Sequence, residues 1–136
     1  MLEAAASSGI GTVQLHGDED PERFSILPLP IVKAIRVKDR ASLDALDRWR
    51  VSGFLLDADT AGYGGSGATF DWSLAEGLAS LGPIVLAGGL HPENVAEAVR
   101  RVRPWAVDVA SGVESAPGVK DAARMARFIA AAREVA

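Results

Sequence analysis

The 136-residue sequence contains no cysteine. That removes disulfides, thiolate zinc sites and a cysteine nucleophile from its chemistry, and it offers no sign of an oxidising compartment. No apolar run approaches the roughly 18 residues that a membrane-spanning helix requires. Excess positive charge is missing as well: 14 Lys and Arg stand against 18 Asp and Glu, for a formal net charge of −4. The basic residues are scattered, so the footprint of a nucleic-acid binder is absent, and a small anion must be held by local geometry instead. The opening Met1-Leu2-Glu3-Ala4-Ala5-Ala6 lacks the basic and long apolar regions of a secretory signal. These absences predict a cytoplasmic protein without membrane or nucleic-acid partners. What is present, 49% apolar residues, suffices for one core, and residues 1–136 read as one domain.

Five short apolar runs are bounded by Gly, Pro or charged clusters: residues 12–15, 31–36, 53–56, 83–87 and 106–109. They read as strands. Between them the spacing turns helical, with Leu43, Leu46 and Trp49 after Asp39, and Val95, Val99 and Val102 after Pro92. Asp71 is placed to cap a helix through Leu74 and Leu78 that stops at Gly82. A last helix from about Val119 carries Ala123, Ala126, Phe128 and Ile129 on one side, a side predicted to cover the sheet. Residues 1–8 resemble the end of a helix stopped by Gly9. Strand ends near 15, 36, 57, 87 and 109, each followed by a helical segment, predict parallel strands joined by crossovers.

In parallel α/β architectures ligands bind at the carboxyl ends of the strands. His16, Arg36, Asp57, Gly88, Gly89, Ser111 and Gly112 all fall at or just past such ends. The turns Leu86-Ala87-Gly88-Gly89-Leu90 and Val109-Ala110-Ser111-Gly112-Val113 are rich in small residues, which leaves N–H groups free to converge on a phosphate. Asp57 is a candidate acid, although a strand-end Asp also serves to bond a neighbouring backbone. A lone histidine such as His16 equally serves packing or hydrogen bonding. Arg36 suits phosphate charge or an ordinary ion pair. Asp108 alternates within its strand so that its carboxylate points inward, where a charge is costly unless it meets polar ligand atoms. Gly62-Tyr63-Gly64-Gly65-Ser66-Gly67 lies inside one βα unit and reads either as a plain flexible loop or as a cover whose N–H groups, at Gly65 and Ser66 among others, close over phosphate.

Several motifs in order resemble one family. They are Val13-Gln14-Leu15-His16-Gly17-Asp18-Glu19; Leu55-Leu56-Asp57 with Gly64-Gly65-Ser66-Gly67 and Phe70-Asp71-Trp72; Leu86-Ala87-Gly88-Gly89-Leu90 with Pro92-Glu93-Asn94; and Val107-Asp108-Val109-Ala110-Ser111-Gly112-Val113-Glu114 with Pro117-Gly118-Val119-Lys120-Asp121. Together they resemble phosphoribosylanthranilate isomerase of tryptophan biosynthesis. The resemblance implies an α/β fold of the (β/α)8 TIM-barrel family, here a partial barrel of about five parallel strands with covering helices. It implies an Amadori rearrangement of N-(5′-phosphoribosyl)anthranilate to 1-(2-carboxyphenylamino)-1-deoxyribulose 5-phosphate without metal or organic cofactor.

On the same resemblance Asp57 is the general acid that protonates the ribose ring oxygen. Asp108 contacts sugar hydroxyls, and the Gly88-Gly89 and Ser111-Gly112 turns hold phosphate. The family's general base is a cysteine in a Lys-Ile-Cys-Gly-like first strand, and an arginine after its second strand grips the anthranilate carboxylate; neither motif occurs in this sequence. The chain is thus expected to begin within the family's third helix, with strands four through eight present. An isolated chain without turnover that self-associates through exposed strand edges or is poorly stable is the expected consequence. Two other readings stand beside it. One is a catalytically silent phosphate-binding half-barrel or partner subunit. The other is a different phosphosugar barrel, such as an epimerase or histidine-pathway isomerase, against which Gln14-Leu15-His16-Gly17 and Gly64–Trp72 argue.

Overall fold

The computed structural model describes residues 7–44, 46–58 and 69–135. Five strands, β1 (Val13–Leu15), β2 (Ile31–Val37), β3 (Gly53–Ala58), β4 (Ile84–Leu86) and β5 (Ala106–Val107), lie side by side in chain order. All four pairings are parallel, with Leu15 opposite Lys33, Arg36 opposite Asp57, Leu56 opposite Leu86, and Leu86 opposite Val107. Helices are α1 (Pro21–Phe24), α2 (Val95–Val102) and α3 (Ala122–Arg133). No helix among the described residues is long and apolar enough to cross a membrane.

Alternation along the strands separates two faces. On the covered face, Val37, Phe54, Leu56, Ile84 and Leu86 pack with Leu43, Leu46, Val95, Val99, Val102 and Phe128 from the connecting segments. On the open face the buried side chains among the described residues are Ala34, Leu55 and Ala87, with Val32 and Val85 packed against them. That face is thin, because nothing among the described residues lies across it but small or medium side chains.

Two segments expected as α-helices are instead pairs of 3-10 turns. After Asp39 the chain forms Arg40–Leu43 and Leu46–Arg48, and after Asp71 it forms Trp72–Ala75 and Leu78–Leu81. The reason is the period. Leu43, Leu46 and Trp49 recur every three residues, as do Trp72, Ala75 and Leu78, and a three-residue period matches the 3-10 geometry. Ser42 is locked in a reciprocal capping box with Asp39, and Gly77, at φ 82°, separates the second pair. Val95, Ala98, Val99 and Val102, spaced three, one and three, form the true α-helix, and all four are buried.

The last segment also differs. Val119 does not start a helix: β6 (Glu114–Ala116) and β7 (Val119–Lys120) pair antiparallel, turned by Gly118 at φ 78°. The helix begins only after Asp121, whose side chain accepts the Arg124 N–H at 2.9 Å. Of Ala123, Ala126, Phe128 and Ile129, only Phe128 is buried. Ile129 and Met125 stay 46% and 42% exposed, because α3 packs against α2 and the 111–113 turn with its outer side uncovered. Residues 7–8 are helical and Gly9 has φ 67°, as expected of a helix stop, whereas residues 1–6 lie outside the described residues.

Candidate functional site

Asp57 is the fifth residue of β3, two beyond Leu55, so it lies on the open face at the carboxyl end of the sheet. It is half-buried. Its carboxylate has no hydrogen bond or ion pair among the described residues, so it is not spent on a neighbouring backbone or on Arg36, its exposed register partner. The ladder continues one rung further: the Ala87 N–H donates to the Leu56 carbonyl and the Asp108 N–H to the Leu86 carbonyl, both at 2.8 Å. Asp57 and Asp108 therefore reach the same end of the same face from strands either side of β4. Asp108 corrects one expectation. Its side chain is exposed at the rim and not enclosed, so its charge carries no burial cost.

The two glycine-bearing turns come together. A Cβ placed on Gly88 would fall 2.6 Å from Asp57 Oδ1 and 2.8 Å from the Ala58 Cβ, so this turn lies directly against the candidate acid. A Cβ on Gly112 would run into the Leu90 carbonyl and come within 3.1 Å of the His91 Cα, so the second turn lies directly against the first. Gly88 and Gly89 adopt φ 81° and 64°. The N–H groups of Gly88, Gly89, Ser111 and Gly112 donate to no acceptor among the described residues. Those of Ser111 and Gly112 open a 3-10 turn (Ser111–Val113), where first-turn donors are free. Adjacent unspent donors of this kind suit an anion.

Gly88→Ala is expected to destabilise the fold by about 1–3 kcal/mol, since the new side chain must displace backbone at Ala58 and hold a φ that L residues resist. Chemical denaturation measures it, and a stability loss within error would show that the turn is looser than described.

Side chains that the sequence reading passed over fix these turns. Asn94 Nδ2 donates to the Gly89 carbonyl at 3.0 Å while its Oδ1 accepts the His91 N–H at 2.8 Å, stapling the 88–91 turn. Its signal was its place just before the periodic run from Val95, where Asn is favoured as a helix cap. Lys120 Nζ donates to the Ala110 carbonyl at 2.8 Å and to Glu114 Oε1 at 2.7 Å, and Glu114 Oε2 accepts the Gly118 N–H at 3.1 Å. The Lys120 hydrogen bond, followed by that of Gly118, holds the Glu114 carboxyl below its ordinary range. No signal in spacing would have found this pair.

His16 follows β1 at the same sheet end, on the open face, and is exposed; its Nδ1 lies 3.5 Å from Gln14 Nε2. β2 separates it from Asp57, so it stands at the rim of the cluster and not in it. Gly65 and Ser66, with the rest of the Gly62–Gly67 loop, lie outside the described residues. Among the described residues no three His, Asp or Glu side chains converge as a metal-binding set.

The sequence profile of the N-(5′-phosphoribosyl)anthranilate (PRA) isomerase family matches residues 1–131. Among similar proteins, N-(5′-phosphoribosyl)anthranilate isomerase of Geobacter metallireducens is 51% identical over 132 residues, covering 96% of this chain and 65% of that protein. The Myxococcus xanthus protein of the same name is 50% identical over 143 residues, covering 99% and 66%. The crystal structure of phosphoribosyl anthranilate isomerase from Thermotoga maritima superposes with a TM-score of 0.83 at 42% identity, over 98% of this chain and 66% of that one. A further phosphoribosyl anthranilate isomerase, solved in complex with reduced 1-(o-carboxyphenylamino)-1-deoxyribulose 5-phosphate, gives a TM-score of 0.76 at 36% identity, over 98% and 64%. The chain thus spans about 65% of the length of the relatives it matches.

Proposed function

This chain belongs to the N-(5′-phosphoribosyl)anthranilate isomerase family, with five parallel strands of its TIM-barrel fold, and on that premise we propose that it carries the phosphate grip and the proton donor of that isomerase. The substrate class is a small phosphoribosyl compound, handled in the cytoplasm without metal or organic cofactor. Residues 1–136 act as one partial-barrel domain.

Gly88, Gly89, Ser111 and Gly112 bind the phosphate through their N–H groups, Asp108 binds sugar hydroxyls from the rim, and Gly65 and Ser66 contribute from the intervening loop. His16 contacts substrate from the β1 side. Asp57 delivers a proton to the ribose ring oxygen as the C1–O bond breaks to leave an iminium at C1, a base then removes the C2 proton to give an enolamine, and the ketose forms as C1 takes up a proton and the C2 hydroxyl gives one up. The family assigns that base to a cysteine, and this sequence has none, so the base comes from another polypeptide segment.

The observation that carries the reading is the half-buried Asp57 carboxylate, unpartnered among the described residues, lying directly against a turn whose donors meet no acceptor among those residues. A non-catalytic phosphate-binding role would need the turns but not that carboxylate. Titration with ribose 5-phosphate, followed by amide NMR, is expected to shift Gly88, Gly89, Ser111 and Gly112 first. Shifts clustered at the amino ends of the strands would place the ligand elsewhere and end this reading.

A further inference from the structure

Lys33 is the one charged side chain buried among the described residues, at 4% exposure. It occupies the third position of β2, between Leu15 and Phe54 on the covered face, where its neighbours in alternation are Ile31, Ile35 and Val37. An ammonium in such a place is costly unless it is fully partnered. It is partnered: Nζ donates to the Gly17 carbonyl at 2.6 Å and to Glu19 Oε2 at 2.8 Å, and stands 5.1 Å from the centroid of the Trp49 ring. Glu19 Oε1 accepts the Gly17 N–H at 2.9 Å. Both polar groups of Gly17 are therefore held from behind the sheet by one ion pair. Gly17 is the residue after His16, whose ring stands on the other face at the rim of the site.

Stability alone does not account for this choice of residue, because a well-packed apolar side chain of similar volume commonly serves a buried position as well as an ion pair does. What an apolar residue cannot do is hold a peptide by both its N–H and its C=O. We propose that Lys33, acting through Glu19, is a positioning residue that fixes the Gly17 peptide and thereby sets the orientation of His16 at the carboxyl-end rim. The Glu19 carboxyl fits that role: burial pushes its pKa up, but the hydrogen bond from Lys33, those of its own backbone and of Gly17, and the Lys33 charge together bring it below its ordinary value of 4.5. The Glu19 carboxylate is therefore charged at neutral pH.

The test compares wild type, Lys33→Met and Glu19→Gln by amide hydrogen exchange, histidine ring NMR and thermal unfolding. In both variants the Gly17 amide is expected to exchange at least about tenfold faster, and the His16 ring resonances to move toward those of an unrestrained histidine. Melting temperature is expected to fall in Glu19→Gln, which leaves the buried Lys33 ammonium without its counter-charge, and to change less in Lys33→Met, where Met fills the space over Trp49. Unchanged Gly17 exchange and His16 resonances in both variants overturn the proposal, including the case in which Lys33→Met merely melts earlier. Should Lys33→Met not fold, Glu19→Gln alone decides, by the same two readouts. The proposal goes beyond the phosphate reading, and the two fail separately: the ribose 5-phosphate titration tests the 88–89 and 111–112 turns and does not involve Gly17 exchange.

Discussion

Asp57→Asn is expected to lower isomerase turnover by about 10²–10⁴-fold, the usual range for a lost general acid, in a barrel that joins this chain to the first three βα units of its Geobacter metallireducens relative. Asparagine keeps the size and most of the polarity of the side chain but has no transferable proton. Because Asp57 makes no hydrogen bond or ion pair among the described residues, its replacement breaks no structural contact, so stability should change by no more than about 0.5 kcal/mol, as for substitutions away from such features. Phosphate affinity should hold, since the donors on Gly88, Gly89, Ser111 and Gly112 are backbone groups that the substitution does not remove. A steady-state assay with a parallel phosphate titration separates the two effects. Near-normal turnover in the variant would take Asp57 out of the mechanism. Turnover and phosphate affinity falling together would make it a structural support for the Gly88 turn.

The sheet was legible because a parallel strand buried on the covered face must be apolar at alternate positions and must stop where the next segment begins. Phe54-Leu55-Leu56 and Ile84-Val85-Leu86 satisfy both conditions, and both are strands. The glycine turns were legible for a different reason, since Gly88 must approach the β3 backbone so closely that no side chain fits. The connecting segments misled where one period resembles another. A spacing of three at Leu43, Leu46 and Trp49 is compatible with an α-helix over two turns as well as with the 3-10 turns that form. Val119 is apolar and precedes a helix cap, which conceals a two-residue strand held mainly by its partner Ala116 and by Gly118.

The alternation rule held a further signal that went unused. Lys33 has the parity of Ile31, Ile35 and Val37, so its place in the core was readable from β2 alone, although its partners Gly17 and Glu19, 16 and 14 residues away, were not. The same rule placed Asp108 correctly on the open face and misjudged its surroundings. Enclosure depends on what lies opposite, and no period within a strand encodes that.

Self-association of the 136-residue chain at low micromolar concentration is the second large effect expected. In the described sheet β1 and β5 each pair on one side only, which leaves two rows of backbone donors and acceptors open to another chain. Beside β5 the apolar surface is extensive: Met125 and Ile129, one turn apart on α3, line a cavity of about 140 Å³ with Val109, Val113, Phe128 and the stem of Lys120. Val119 is 55% exposed as well. Burying a large apolar side chain contributes about 1.5–3 kcal/mol, so three or four of them rival the whole 5–15 kcal/mol stability of an ordinary domain. A second copy that covers them has ample driving force. Sedimentation velocity should therefore find dimers or larger species, and Met125→Glu with Ile129→Glu should shift them toward monomer, because each charge would have to be desolvated in the contact. The same chain, assayed alone, should show no isomerase turnover for want of a base. A compact monomer that unfolds cooperatively and turns substrate over would mean that these five strands close on themselves, with Asp57 paired to a base drawn from within the chain.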